Sequence, residues 1–89
     1  MSVLMVSMGL ATGDDNGTVG KYLAAFDPDA YQGRGLIRWT RDRSKAIAFP
    51  DFPAAALFWK TRSKVTPTRP DGRPNRPLTA YSVTFETIP

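Results

Sequence analysis

Arg69, Arg73 and Arg76 recur at intervals of four and three within residues 65–77, VTPTRPDGRPNRP, and Arg62 and Lys64 stand just before them. Guanidinium groups make forked, charge-assisted hydrogen bonds to phosphate and carboxylate, so this cluster suits recognition of an anion rather than bond-breaking. A second basic group, Arg34, Arg38, Arg41, Arg43 and Lys45, is offset only by Asp42. Residues 1–33 lean the other way, with Lys21 against Asp14, Asp15, Asp27 and Asp29. Eleven of the twelve cations therefore follow residue 33, and eight of the twelve are arginine. If the two basic segments meet in the fold they form one positive face, which suits nucleic acid or an acidic protein.

Catalysis has less to draw on, because the 89 residues include neither Cys nor His. That excludes a thiol nucleophile, a Ser-His-Asp triad, an imidazole base and a Cys/His zinc site. Acid–base work would fall to Asp, Glu, Lys or Tyr, and no pair of these is placed distinctively. Asp27-Pro28-Asp29 has the DxD spacing, yet Mg²⁺ would need further oxygens or a bound phosphate. A turn closed by side-chain-to-backbone hydrogen bonds is the plainer reading. Asp14 and Asp15 lack the downstream Glu of a calcium loop. Gly33-Arg34-Gly35 precedes a strand rather than a helix, so it is not a phosphate-binding glycine fingerprint. The expectation is a protein that is not an enzyme and uses no metal or cofactor.

The elements that must position the arginines follow from pattern. Residues 2–10 are nearly all apolar and read as a strand. Asn16-Gly17 suits a turn, because both residues accept positive φ. A second strand is expected at 19–26, ended by Pro28, and a third at 36–40 with Ile37 and Trp39 on its inward face. Thr40 is placed to cap a helical turn at 41–46, and Ala46 to Phe49 leads out extended. Asp51 as cap with Pro53 in the first turn starts the main helix, expected over 52–62. The prolines of 65–77 exclude helix and central strand. They match PxxP twice, but are read as fixing the path of a loop, with Arg69-Pro70-Asp71-Gly72 as its turn. Residues 78–88 alternate apolar and polar, which predicts a last strand with Tyr81, Val83 and Phe85 facing the helix. On that register Val83→Asp is expected to unfold the domain. The fold class expected is α+β, in the order β-β-β-α-β. A mainly antiparallel sheet of three or four strands carries one main helix on one face. Residues 1–89 fit one small domain, with 1–17 a variable N-terminal extension.

The helix carries more apolar surface than one sheet face covers. At 100° per residue, Phe52, Leu57, Phe58 and Trp59 need an arc of about 220°. Either the following loop wraps over the helix, which is the expectation, or one large apolar residue stays exposed. Exposure would make Leu57 or Phe58 the apolar anchor of a partner or homodimer surface. The run Val3 to Met8 is far too short to cross a bilayer and lacks the flanks of a signal peptide. The lack of cysteine fits a cytoplasmic location.

Three stretches, KYLAAFDPDAYQGRG at 21–35, TRDRSKAIAF at 40–49 and above all RPDGRPNRPLTAYSV at 69–83, resemble short bacteriophage and prophage proteins of the actinobacterial phage type. The resemblance spans Gly20 to Phe85 and implies origin in a phage genome, acting in the cytoplasm of the infected bacterial host. It implies no activity and no functional residue. Two functions follow as expectations. The first is a phage accessory protein that binds a host or defence protein, with an acidic surface gripped by Arg69, Arg73, Arg76, Arg62, Lys64, Arg41 and Arg43. The alternative is a small nucleic-acid-binding module using the same cations on phosphate.

Overall fold

The computed structural model describes residues 2–15 and 17–88. Four strands, β1 (Ser2–Leu10), β2 (Tyr22–Asp27), β3 (Leu36–Thr40) and β4 (Tyr81–Ile88), form one sheet in the order β3-β2-β1-β4. Every neighbouring pair is antiparallel. A short turn of helix, α1 (Ala30–Gly33), joins β2 to β3, and the main helix α2 (Phe52–Trp59) lies between β3 and β4 in sequence. The chain is therefore α+β, as its pattern predicts. Residues 2–10 are the most deeply placed strand: Val3, Leu4 and Met5 are at most 2% exposed. Alternation sends Val3 and Met5 to the helix side and Leu4 to the other.

The join between β1 and β2 is short. β1 meets β2 at Val6 and Tyr22. Nearer its start, β1 pairs instead with Phe49, the amides of Val3 and Phe49 each donating to the other's carbonyl at 2.9 Å. Ile47 donates in turn to the carbonyl of Leu23 at 2.9 Å. Residues 47–49 thus wedge between β1 and β2. The far turn of the β2–β3 hairpin reaches the chain that follows α2.

α2 begins where expected, with the Asp51 carboxylate accepting from the Ala54 amide at 2.8 Å and Pro53 in the first turn. It stops at Trp59 rather than 62. The Thr61 hydroxyl takes the Phe58 carbonyl at 2.7 Å, and the chain beyond is claimed elsewhere. Val3, Met5, Leu23, Phe49, Ala55 and Leu78 make the core. Phe58 turns into it, edge-on to Phe26 at 5.7 Å and tilted on Phe49 at 5.1 Å. As an apolar anchor Phe58 is therefore corrected to a packing residue. Leu57 stays 72% exposed, and Phe52 stays half-exposed with its ring against Phe85. The expected wrap does not form, because residues 61–76 pack on the β2–β3 turn instead.

Val83 and Phe85 pack on the core, and Tyr81 tilts on Trp39 at 5.1 Å, so this face of β4 does meet the helix side. Val83 is only half-buried, beside a groove it shares with Ala56, Trp59 and Lys60. An aspartate there reaches water, so the expected unfolding is softened. Boundaries shift elsewhere: β2 starts at Tyr22, and β4 at Tyr81 after a 3₁₀ turn, Pro77–Ala80. Asp42, not Thr40, caps the 3₁₀ turn Arg43–Lys45, accepting from the Ser44 amide. Asn16 lies outside the described residues; Gly17 beside it has φ +87°.

Candidate functional site

The segment after α2 folds back on itself before it reaches the sheet. Arg62 donates to the Pro67 carbonyl at 2.5 Å and to the Thr68 hydroxyl at 3.2 Å. Thr68 and Pro74 face each other as an isolated antiparallel bridge. Between them Arg69-Pro70-Asp71-Gly72 forms the expected turn, closed by the Gly72 amide on the Arg69 carbonyl at 2.9 Å. Gly72 has φ +84°, which glycine adopts without a Cβ clash. The Arg69 amide then donates to the Arg73 carbonyl at 2.8 Å. The result is a small stiff hairpin with Arg73 near its tip.

Three side chains, Asp29, Asn75 and Thr66, fasten this hairpin to the β2–β3 turn. One oxygen of Asp29 accepts from the Lys64 amide at 2.6 Å, the Ser63 hydroxyl at 3.1 Å and the Val65 amide at 3.2 Å. The Lys64 amide is the main reason the Asp29 carboxyl titrates below its ordinary value. Burial opposes the shift; the Val65 and Ser63 bonds and the Lys64 charge add to it. The Asn75 amide group donates to the carbonyls of Gly33 at 2.7 Å and Thr66 at 2.9 Å. The Thr66 hydroxyl donates to the Gln32 carbonyl at 2.8 Å. The DxD carboxylates are thus used separately, since Asp27 accepts from the Asp29 amide at 3.0 Å. That is the side-chain-to-backbone turn.

These ties hold the β2–β3 turn in an unusual shape. Tyr31 and Gln32 have φ of 52° and 59°, left-handed values that cost a residue with a side chain about 1–2 kcal/mol. Gly33 and Gly35 follow with φ of +90° and +87°. A Cβ on Gly33 would meet Thr66 Cβ at 2.5 Å, and one on Gly35 would meet Pro77 Cβ at 2.7 Å. Close backbone approach at both glycines lets the turn and the hairpin lock together.

The consequence is that Arg34, Arg69 and Arg76 line one cleft of about 450 Å³. Asn75 and Thr79 add polar groups to its wall, while Leu10, Ala11, Pro77 and Ala80 make the wall apolar elsewhere. A smaller hollow of about 210 Å³ adjoins it, sharing Arg34, Arg69 and Asn75 and adding Gln32, Thr66 and Pro70. Arg69 has a loose ion pair with Asp71 at 3.9 Å between half-exposed side chains, which offsets little charge. Among the described residues Arg34 and Arg76 form no ion pair. Three arginines lining one concavity supply guanidinium groups that can hold an anion by several charge-assisted bonds at once. No family model, curated protein or solved structure matches the chain. No helix among the described residues is long and apolar enough to cross a membrane.

The seven cations singled out from the sequence separate in space. Arg69 and Arg76 line the cleft, and Arg73 sits exposed at the hairpin tip. Arg62 is the hairpin's clamp, and Lys64 lies beside Asp29. Arg41 is exposed at the far end of β3. Arg43 is engaged on the back of the sheet. Its guanidinium pairs with Glu86 and donates to the Tyr22 hydroxyl at 2.8 Å. Tyr22 faces Val6 and Glu86 faces Leu4 across the ladders, so Arg43 straps over the central strand. Those contacts raise its pKa, the Tyr22 bond first and the Glu86 charge next. The expected single positive face is accordingly two groups, with β3 between them. Arg34, read from the sequence only as a member of the second basic group, and Asn75 join the cleft without being among those seven cations. Their local signals were the pair of glycines flanking Arg34 and the asparagine set between Pro74 and Arg76.

Proposed function

We propose that the chain is a small nucleic-acid-binding module, not an enzyme, encoded by a bacteriophage and working in the cytoplasm of the infected host. The observation that carries this reading is the convergence of Arg34, Arg69 and Arg76 on one cleft. They come from two segments and are held there by Asp29 and Asn75. A sugar–phosphate backbone presents anions at regular intervals, and several arginines in a groove match that repeat better than they match a lone carboxylate. The protein-partner reading rested partly on Phe58, which packs inward.

A second reading, an accessory protein gripping an acidic host or defence protein, keeps one specific support in Leu57, 72% exposed on α2. The two separate by experiment. Titration with labelled single- and double-stranded oligonucleotides should give micromolar or tighter binding that weakens steeply between about 50 and 200 mM salt. No binding at the lower salt would remove the nucleic-acid reading. Capture of a host protein that depends on Leu57 would then favour the second.

A further inference from the structure

We infer that the ligand is a single strand, with one base stacked on Tyr31 while neighbouring phosphates lie along Arg34, Arg69 and Arg76; this rests on the nucleic-acid reading above.

Tyr31 is 68% exposed, although it sits on the turn that the Thr66 and Asn75 side chains fasten to the later loop. Among the described residues its ring meets no other aromatic ring. It directly precedes Gln32, which lines the hollow that shares Arg34, Arg69 and Asn75 with the cleft. Its left-handed backbone is held by the Thr66 bond to Gln32 and the Asn75 bond to Gly33. Glycine would satisfy this backbone without strain, so the sequence keeps an aromatic ring where local folding does not favour one. Single-strand binders combine a cationic groove with exposed aromatic platforms, because an unpaired base offers its face for stacking. A duplex keeps those faces inside and is read by a helix or ribbon that carries cations into a groove. α2 does not fit that role, since its most exposed large side chains are Phe52 and Leu57.

The test uses the full chain, a short labelled oligothymidylate and a duplex of equal length. Tyr31→Gly removes the ring and relieves the backbone, so the variant should melt at a higher temperature. It should also bind the single strand about tenfold or more weakly, the loss expected for one stacking contact. Tyr31→Trp should retain single-strand binding, and duplex binding should be the weaker of the two and indifferent to Tyr31. If Arg34→Ala weakens binding while Tyr31→Gly does not, the stacking inference is overturned and the nucleic-acid reading stands. If the unaltered chain binds neither oligonucleotide, or binds poly-glutamate as tightly, both are overturned.

Discussion

The Asp29 carboxylate accepts the backbone amide of Lys64 at 2.6 Å across 35 residues of sequence. That bond, with those from Ser63 and Val65, turns the chain after α2 toward the β2–β3 turn and so assembles the cleft. Asp29→Ala should speed hydrogen exchange at the Lys64 and Val65 amides on the order of tenfold, leave α2 unaffected and weaken oligonucleotide binding. The folded-state pKa of Asp29 is lowered below its ordinary 3.8. The fastening is therefore complete above the ordinary carboxylate range and is lost as pH falls through the lower folded value. In an NMR titration the Lys64 amide should stay still from neutral pH down to that range and move only below it.

Gly33 and Gly35 should not tolerate a side chain. Alanine at either position combines positive φ with a clash on Thr66 or Pro77. Gly33→Ala and Gly35→Ala should each cost about 1–3 kcal/mol in denaturant unfolding and lower oligonucleotide affinity as well. Gly13→Ala, where a Cβ meets open space, is the control for positive φ alone.

Two neighbours on α2 should behave oppositely. Phe58→Ala removes a ring packed on Phe26 and Phe49 and should cost about 3 kcal/mol. Leu57→Ser changes an exposed position and should stay within about 0.5 kcal/mol of the parent. Urea unfolding of both variants checks the inward and outward assignment.

A charge on the sheet should be graded by depth. Met5→Asp, at a position with no exposure, should abolish folding through a buried unpaired carboxylate. Val83→Asp should leave a folded domain destabilised by about 1–3 kcal/mol, because its groove is open and Lys60 stands beside it. Circular dichroism and melting of the two proteins measure the difference.

Much of the fold was legible because it is locally encoded. Asp51 and Pro53 started α2, alternation placed Tyr81, Val83 and Phe85 inward, and Pro70 with Gly72 marked the hairpin turn. The site was less legible because it is made by distant pairs. Nothing local to Asp29 says that it will hold Ser63, Lys64 and Val65, and those bonds explain why α2 stops early and why the loop leaves Leu57 uncovered. Asn75 reads as loop asparagine until Gly33 lies against it. Arg43 reads like any exposed cation until Tyr22 and Glu86 flank it across the central strand. Arg34 belonged to one basic run and Arg69 to another, and only the bonds of Asp29, Thr66 and Asn75 between the β2–β3 turn and the later loop bring them together.

The most direct test of the cleft is the salt dependence of single-strand binding for Arg34→Ala beside Arg41→Ala. Both remove one positive charge from the same basic run, but only Arg34 lines the cleft. Arg34→Ala should weaken binding and reduce the slope of log affinity against log salt by about one phosphate contact, while Arg41→Ala leaves both unchanged. Equal losses in the two variants would mean that net charge, and not the convergence of Arg34 with Arg69 and Arg76, holds the ligand.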